Sequence, residues 1–389
     1  MTNNNSSNLK LVMIPIGIFV VLMLFPSSLM VAHADSDTRG DDDSNLHVHT
    51  GSVIHVPSNY SSIQAAVNAA HAGDTIQISS GTYTEQILIS KSLQIRGDGD
   101  GTTIIQAPSS LANDVFGAAN VVDVTNGSTT KISELTVSGP GSTACNSITA
   151  GIFVSEGSTL KISKSTITNI HDTPAGGCQN GVGIFVGRNA YGTTGHAEIS
   201  DVKVTKYQKG GIVVDGVGSS AVIKDNQVVW GLSPLNIASN GIQVSRGAVA
   251  TVSDNKISGN ICSAPSCGSD LINDYQSTGI LVYQSGTKTV VNDNRISQND
   301  IGILVYQGSN SVQVKDNDVS SNRFAGIALA DGNYKISDNK ISGFGNVGIA
   351  IISDLSNTTA TLVDNKIHDV TTPIGTFATG SLTSTYTVK

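Results

Sequence analysis

Charge is scarce in this chain. Asp, Glu, Lys and Arg make up 13% of its 389 residues, aromatic residues only 5%, and there is a single tryptophan, Trp230. Glycine numbers 41, and Ser, Thr and Asn are abundant, a composition that argues against long helices and suits many short strands and turns. Basic residues are the rarer sign: beyond residue 34 there are 21 Lys and Arg against 30 Asp and Glu, a net charge of −9. Phosphate binding needs a basic stripe, so nucleic acid is excluded as a partner. Long apolar runs are missing too. The one present, Leu11–Phe25, is short for a membrane span and is interrupted by Pro15 and followed by Pro26.

That run follows a polar start with one cation, Lys10, and leads to Ala32-His33-Ala34. This is the order of a secretory signal peptide over 1–34, with a small-x-small cleavage site. An uncleaved anchor is the alternative, and the membrane is a partner only in that case. Either way the rest of the chain is expected to be secreted or at the cell surface. Four cysteines in an exported protein read as two disulfides. Cys262 and Cys267 enclose one short loop, and Cys145 and Cys178 stand at nearly the same distance before Gly151 and Gly183. Of the three possible pairings, this phase favours Cys145–Cys178 with Cys262–Cys267. Glycosylation sequons occur at Asn59, Asn126 and Asn357.

Residues 35–50, "DSDTRGDDDSNLHVHT", form an acidic, flexible lead-in. His47, His49 and His55 have no Cys or carboxylate at ligand spacing and read as solvated. Over 51–105 the chain is expected to build an N-terminal cap and the first coils. Ser62 caps a short helix with Ile63, Ala66, Val67 and Ala70 on one face. Alternating strands follow, "TIQIS", "TEQILIS" and "SLQIRG".

Two markers then recur over 106–375. Gly-Ile stands at Gly151, Gly183, Gly211, Gly241, Gly279, Gly302, Gly326 and Gly348. Asp-Asn turns place asparagines at 226, 255, 294, 317, 339 and 365. From each Gly-Ile glycine, starting at Gly211, the next such asparagine lies 13 to 17 residues on, so the markers keep phase. The minimal period of 22–24 residues holds three short strands. One coil cannot bury its apolar positions alone, but stacked coils can, each pairing its backbone with the next. The pattern predicts an all-β protein, a right-handed parallel β-helix of about ten coils and about 50 Å, with the asparagines stacked one above another. Residues 376–389 are left as a tail or end cap. A leucine-rich repeat is the competing fold. It needs apolar residues five before the asparagine, where Ala250, Thr289, Tyr334 and Ala360 stand here.

Residues 53–105, with "SIQAAVNAAHAGDTI", "GTYTE" and "KSLQIRG", resemble the opening of the pectin-lyase-like superfamily, and the coils resemble its generic repeats, as in NosD-type proteins. The resemblance covers almost all the chain beyond the signal segment. It implies the β-helix fold and a helix plugging the N-terminal end of the stack. It implies no activity. "GTYTE" matches a structural segment of pectin methylesterases, but their catalytic Q-D-T and D-F-I-F-G motifs are absent, and "DVFGAANVVD" at 114–123 does not replace them. The N-T-D, D-D and G-H-G motifs of polygalacturonases and the D-P-H-D motif of uronate epimerases are missing as well. Gly195-His196-Ala197 lacks the flanking glycine.

Geometry supplies the remaining candidates. Insertions lead into the Gly-Ile strand at 139–150, 171–182, 229–240 and 258–278, and carry Trp230, Tyr275, His171, Asp172, Asp270 and Asp274. Outward positions on the strands stack as Phe153, Phe185 and Val213, then Leu281 and Leu304. Loops folding down over that apolar stripe are the plain alternative to a binding groove. Two positions further on, the ladder reads Ser155, Gly187, Asp215, Ser245, Tyr283, Tyr306, with Arg188 and Arg246 next in line. Aromatic faces beside hydrogen-bonding groups are what sugar rings require; an ordinary stabilising tyrosine ladder is the alternative. The expected carbohydrate-binding set is therefore Tyr283, Tyr306, Asp215, Arg246, Trp230 and Tyr275. No metal site is expected and no cofactor is required. Calcium-assisted chemistry would need Asp215 with Arg188 or Arg246, and "RGDGDGT" at 96–102 reads as a turn. The leading function is non-catalytic binding or scaffolding of an extracellular polysaccharide. The alternative is a lyase or hydrolase of uronate-type glycans acting along the Gly-Ile face through Asp172, Asp215, Arg246, Asp270 or Asp274.

Overall fold

The computed structural model describes residues 51–232, 236–343 and 347–389. The signal segment over 1–34 and the acidic lead-in over 35–50 lie outside the described residues, as does part of the 229–240 insertion.

The described chain winds as a right-handed parallel β-helix with three walls. The Gly-Ile strands make the first wall, eleven parallel strands from Ile87–Ile89 to Thr372–Ala378. The second wall starts at Val53–Val56, each strand pairing in parallel with the one above. It ends at Ser384–Val388, which pairs with Thr358–Val363. The third carries the strands after the Asp-Asn turn, such as Lys256–Ser258 on Arg295–Ser297. The stack has about 13 turns rather than ten. The extra turns come mainly from residues 53–138, where the strands pair as coils but neither marker is present to count them.

The Gly-Ile marker has a steric cause. A β-carbon on Gly302 would lie 2.5 Å from the Gly326 carbonyl oxygen and 2.5 Å from Val319 Cγ1. At Gly211 it would lie 2.5 Å from the Gly241 oxygen and 2.6 Å from Val228 Cγ1. In these coils the corner between third and first walls brings two backbones and an inward aliphatic side chain too close for a β-carbon. The isoleucine after it points inward, and Ile212, Ile242, Ile280, Ile303, Ile327 and Ile349 make one fully buried column.

The Asp-Asn phrase divides its work between its two residues. Asp225, Asp254, Asp293, Asp316, Asp338 and Asp364 all take left-handed backbone (φ 51–59°), which aspartate tolerates better than most residues. The asparagines turn inward. Asn294 Nδ2 donates to Val252 O (2.9 Å) and Asn317 Oδ1 (3.0 Å), and its Oδ1 accepts from the backbone and side chain of Asn255. The same links run from Asn226 to Asn365. A second ladder joins Asn260, Asn299 and Asn322. These asparagines stand five residues after those of the Asp-Asn turns, in "DNKISGN", "DNRISQN" and "DNDVSSN".

The helix forms at Ile63–Ala69, with Ser62 Oγ accepting from Ala65 N (3.2 Å). Glu85 of "GTYTE" completes the cap, its carboxylate accepting from Ile63 N and Gln64 N (both 2.9 Å). Ile63, Ala66 and Val67 join the end of the core. Cys145 pairs with Cys178 and Cys262 with Cys267, the pairing that the spacing favoured. Among the described residues no helix is long and apolar enough to cross a membrane.

Candidate functional site

On the outer face of the first wall the strand register sets the columns. Phe153 lies on Phe185, Phe185 on Val213, Gln243 on Leu281 and Leu281 on Leu304. Asp215, Ser245, Tyr283 and Tyr306 occupy consecutive coils of the next column. Four residues of the expected site, Asp215, Arg246, Tyr283 and Tyr306, are therefore brought together.

Loops cover the two ends of this face and leave the middle open. At the N-terminal end, Phe116 and Tyr191 stack on each other (5.7 Å, 7°) and meet Phe153 edge-on at 6.3 and 6.4 Å. At the C-terminal end, Leu271 and Ile272 of the 258–278 insertion pack with Phe324 and Phe377 against Ile301, Ala325 and Ala328. The loops thus fold down over the apolar stripe at both ends. Val213 of Gly210–Asp215 is still buried under the first lid, and the strands left between the lids are Asn240–Ser245, Thr278–Tyr283 and Ile301–Tyr306. Here Gln243, Leu281, Tyr283, Leu304 and Tyr306 remain half-buried.

A chain of hydrogen bonds crosses this window. Thr278 Oγ1 donates to Asn240 Oδ1 (2.8 Å), Asn240 Nδ2 to Gln243 Oε1 (2.9 Å), and Gln243 Nε2 to Ser245 Oγ (2.9 Å). Ser245 Oγ then donates to Asp215 Oδ1 (2.7 Å), which also takes Arg246 Nε at 2.8 Å. Asn189 N supplies Asp215 Oδ2 (2.9 Å). Asp215 is fully buried and satisfied, so it orients Arg246 and does not itself face a ligand. Arg246 keeps 38% of its side chain exposed. Tyr283 and Tyr306 stack at 5.6 Å and 12°. Burial raises the Tyr283 hydroxyl, and the charge of Arg246 offsets part of that rise. Burial, then the charges of Asp331 and Asp354, push the Tyr306 hydroxyl far above its usual value.

Other sequence candidates go elsewhere. Trp230 is 1% exposed and part of the core, so it is removed from the binding set: its segment turns inward where an outward loop was expected. Tyr275 sits on the 258–278 insertion, more than a third exposed. Asp172 is buried, accepting from Asn146 N, Ser147 N, Ser147 Oγ and Gln208 Nε2. It lies against Cys145 and Cys178, but a disulfide offers no thiolate to a metal. Asp270 is tied to Asn273 and Ile272, and those bonds lower its pKa. Arg188 packs over Tyr191 (4.2 Å) and Phe185 (5.2 Å) and donates to Tyr191 Oη, not to Asp215. In "RGDGDGT", Asp98 accepts from Gln77 and Ser80 as part of a turn.

Two ionisable groups stand out beyond the sequence candidates, Asp123 and Lys209. Asp123 occupies the same column as Phe153, one coil earlier. Burial, opposed by a bond from Asn120 and assisted by Asp114, raises its pKa to about 7. Asn120 Nδ2 is shared between Asp123 Oδ1 (2.7 Å) and Asp114 Oδ2 (3.2 Å), which sets the two carboxyl groups side by side. The coil escaped notice because Val121 stands where later coils have the marker glycine. Lys209 is the other shifted group: its ammonium donates to Ala238 O (2.8 Å), and burial draws it down to about 8.

A separate cavity of about 550 Å³ lies on the second wall, floored by Ser133, Ser163 and Ser200. Its charges pair locally, Arg96 with Glu134 (3.0 Å) and Lys161 with Glu198 (2.7 Å), and none of the window residues lines it.

Residues 182–367 match the protein family described as the right handed beta helix region. The A-module of the mannuronan C-5 epimerase AlgE4 of Azotobacter vinelandii is similar, with TM-score 0.50 and 18% identity, covering 84% of this chain and 94% of that one. A GH136 lacto-N-biosidase from Eubacterium ramulus gives TM-score 0.56 and 13% identity over 83% and 64% of the two chains. A mutant of the periplasmic alginate epimerase AlgG gives 0.50 and 15% over 86% and 83%. No curated protein matches by sequence. At these identities the likeness is one of fold. The chain is therefore a right-handed parallel β-helix protein.

Proposed function

We propose that this is an exported protein that binds an extracellular polysaccharide in the window between the two lids. The observation that carries this reading is the stacked, half-buried Tyr283–Tyr306 pair beside the exposed guanidinium of Arg246. Sugar rings offer apolar faces to such rings and polar edges to such donors, and Arg246 adds a partner for a carboxylate. Two of the three similar structures carry names that concern mannuronan and alginate, which agrees with a uronate-bearing glycan, and the third is named as a lacto-N-biosidase. Two disulfides fit an oxidising compartment. The test is calorimetric titration of the exported chain with oligouronates. Tyr283→Ala and Arg246→Gln are each expected to weaken binding by about tenfold, a loss of roughly 1.4 kcal/mol. Unchanged affinity in both variants rejects the window as the site.

A second reading, hydrolysis, is favoured by one observation: Asp123, held near neutrality, sits beside Asp114 through their common Asn120 amide. A carboxyl group whose pKa is raised, set beside a second carboxyl group, suits the acid of a glycoside-cleaving pair. Reducing-sugar release that disappears in Asp123→Asn supports this reading. Ultraviolet absorbance from unsaturated ends would reveal lyase chemistry instead. Absence of both products leaves binding alone.

A further inference from the structure

Most buried acids of this protein are visibly balanced. Asp215 has Arg246, Asp300 has Arg323 at 2.9 Å, and Asp172 has four hydrogen-bond donors. Asp331 and Asp354 break the pattern. They are 6% and 8% exposed and close together, since Asp354 N donates to Asp331 Oδ1 (2.8 Å). Leu355 N and Ser356 N also donate to that oxygen, and Thr379 Oγ1 donates to Asp354 Oδ1 (3.1 Å). One oxygen of each carboxyl group is thereby used. The other two, Asp331 Oδ2 and Asp354 Oδ2, are buried and accept no hydrogen bond of normal geometry; the Tyr306 hydroxyl is the side-chain group that approaches Asp331. Among the described residues, no Lys, Arg or His forms an ion pair with either acid.

Two adjacent carboxylates buried without a counter-charge are costly, and the site must take up positive charge as a proton or a cation. We propose that Asp331 and Asp354 bind a hard divalent cation of the calcium class through these two oxygens, with the Tyr306 hydroxyl beside it. Hard cations select carboxylate and other oxygen ligands, and three oxygen-bearing groups converge here. The site differs from both places where the sequence suggested calcium, the Asp215–Arg246 pair and the turn at 96–102. It does not depend on the polysaccharide reading.

Terbium is a suitable probe because a nearby tyrosine sensitises its luminescence. Titrating the exported chain with Tb³⁺ is expected to give a saturable signal for one ion, displaced by Ca²⁺. Asp354→Asn, nearly isosteric, should weaken it by more than the roughly tenfold typical of losing an outer-shell partner. Tyr306→Phe should lower the luminescence of bound ion. Ca²⁺ should also raise the thermal midpoint of the parent and not of Asp354→Asn. A missing saturable phase, or equal affinity and equal Ca²⁺ stabilisation in Asp354→Asn, overturns the proposal and assigns the pair a shared proton. No glycan is present in these measurements, so their failure is distinct from failure of the window.

Discussion

Asp123 is buried with one side-chain hydrogen bond and, among the described residues, no ion pair, and its pH response follows from that. Its pKa is raised to about 7, against about 3.9 for an unfolded aspartate. The folded state therefore holds the proton more tightly, so this group favours folding most below about pH 4, and the benefit is lost as pH rises to about 7. Asp123→Asn removes the titration while keeping the shape. The expected outcome is a higher thermal midpoint at pH 8 and little change at pH 4, read by circular dichroism melts. At this scale the sequence was partly legible. The stacking of Tyr283 on Tyr306 was legible because repeat phase alone predicts which side chains share a column. Trp230 was misplaced because an insertion has no phase, and its burial depends on how the loop turns. Asp331 stands at the phase of Arg246, five residues after its Gly-Ile glycine, but Asp354 lies outside that phase and only the folded turn brings their oxygens together.

For a single strand or turn, the unit of stability is the ladder. Asn294 sits inside its ladder, accepting from Asn255 and donating to Val252, Asn292 and Asn317. Asn365 ends it and is half-buried. Asn294→Ala leaves several buried carbonyl and amide groups unpaired and should cost about 2–4 kcal/mol, whereas Asn365→Ala should cost about 1 kcal/mol. Urea unfolding of the two variants measures the difference; equal losses would show that the ladder does not act as a connected unit. The ladders were legible because a buried amide must recur at the same phase in every coil. The corner glycines were legible as a marker but not as a cause. Only the distance from each absent β-carbon to the carbonyl of the next coil explains them.

For the whole stack, coils are interchangeable as long as their phase is kept. Removing residues 302–325 joins Ile301 to Gly326, takes out one full period, and preserves the glycine corner and the asparagine ladder. That deletion should still unfold cooperatively and lose Tyr306-dependent binding. A deletion of half that length should abolish the fold; circular dichroism and glycan titration distinguish the outcomes. Coil number was underestimated because the first turns close on side chains such as Glu85 and Asp74 without either marker.

The gap between the two lids has a further consequence. Successive strands are set about 4.8 Å apart by backbone hydrogen bonding, so the three strands between the lids measure out roughly 10 Å along the axis. A backbone lattice cannot stretch, and the lids are anchored at both ends. The opening therefore behaves as a fixed gauge: it admits a footprint of set length, and changing that length requires inserting or removing a whole turn.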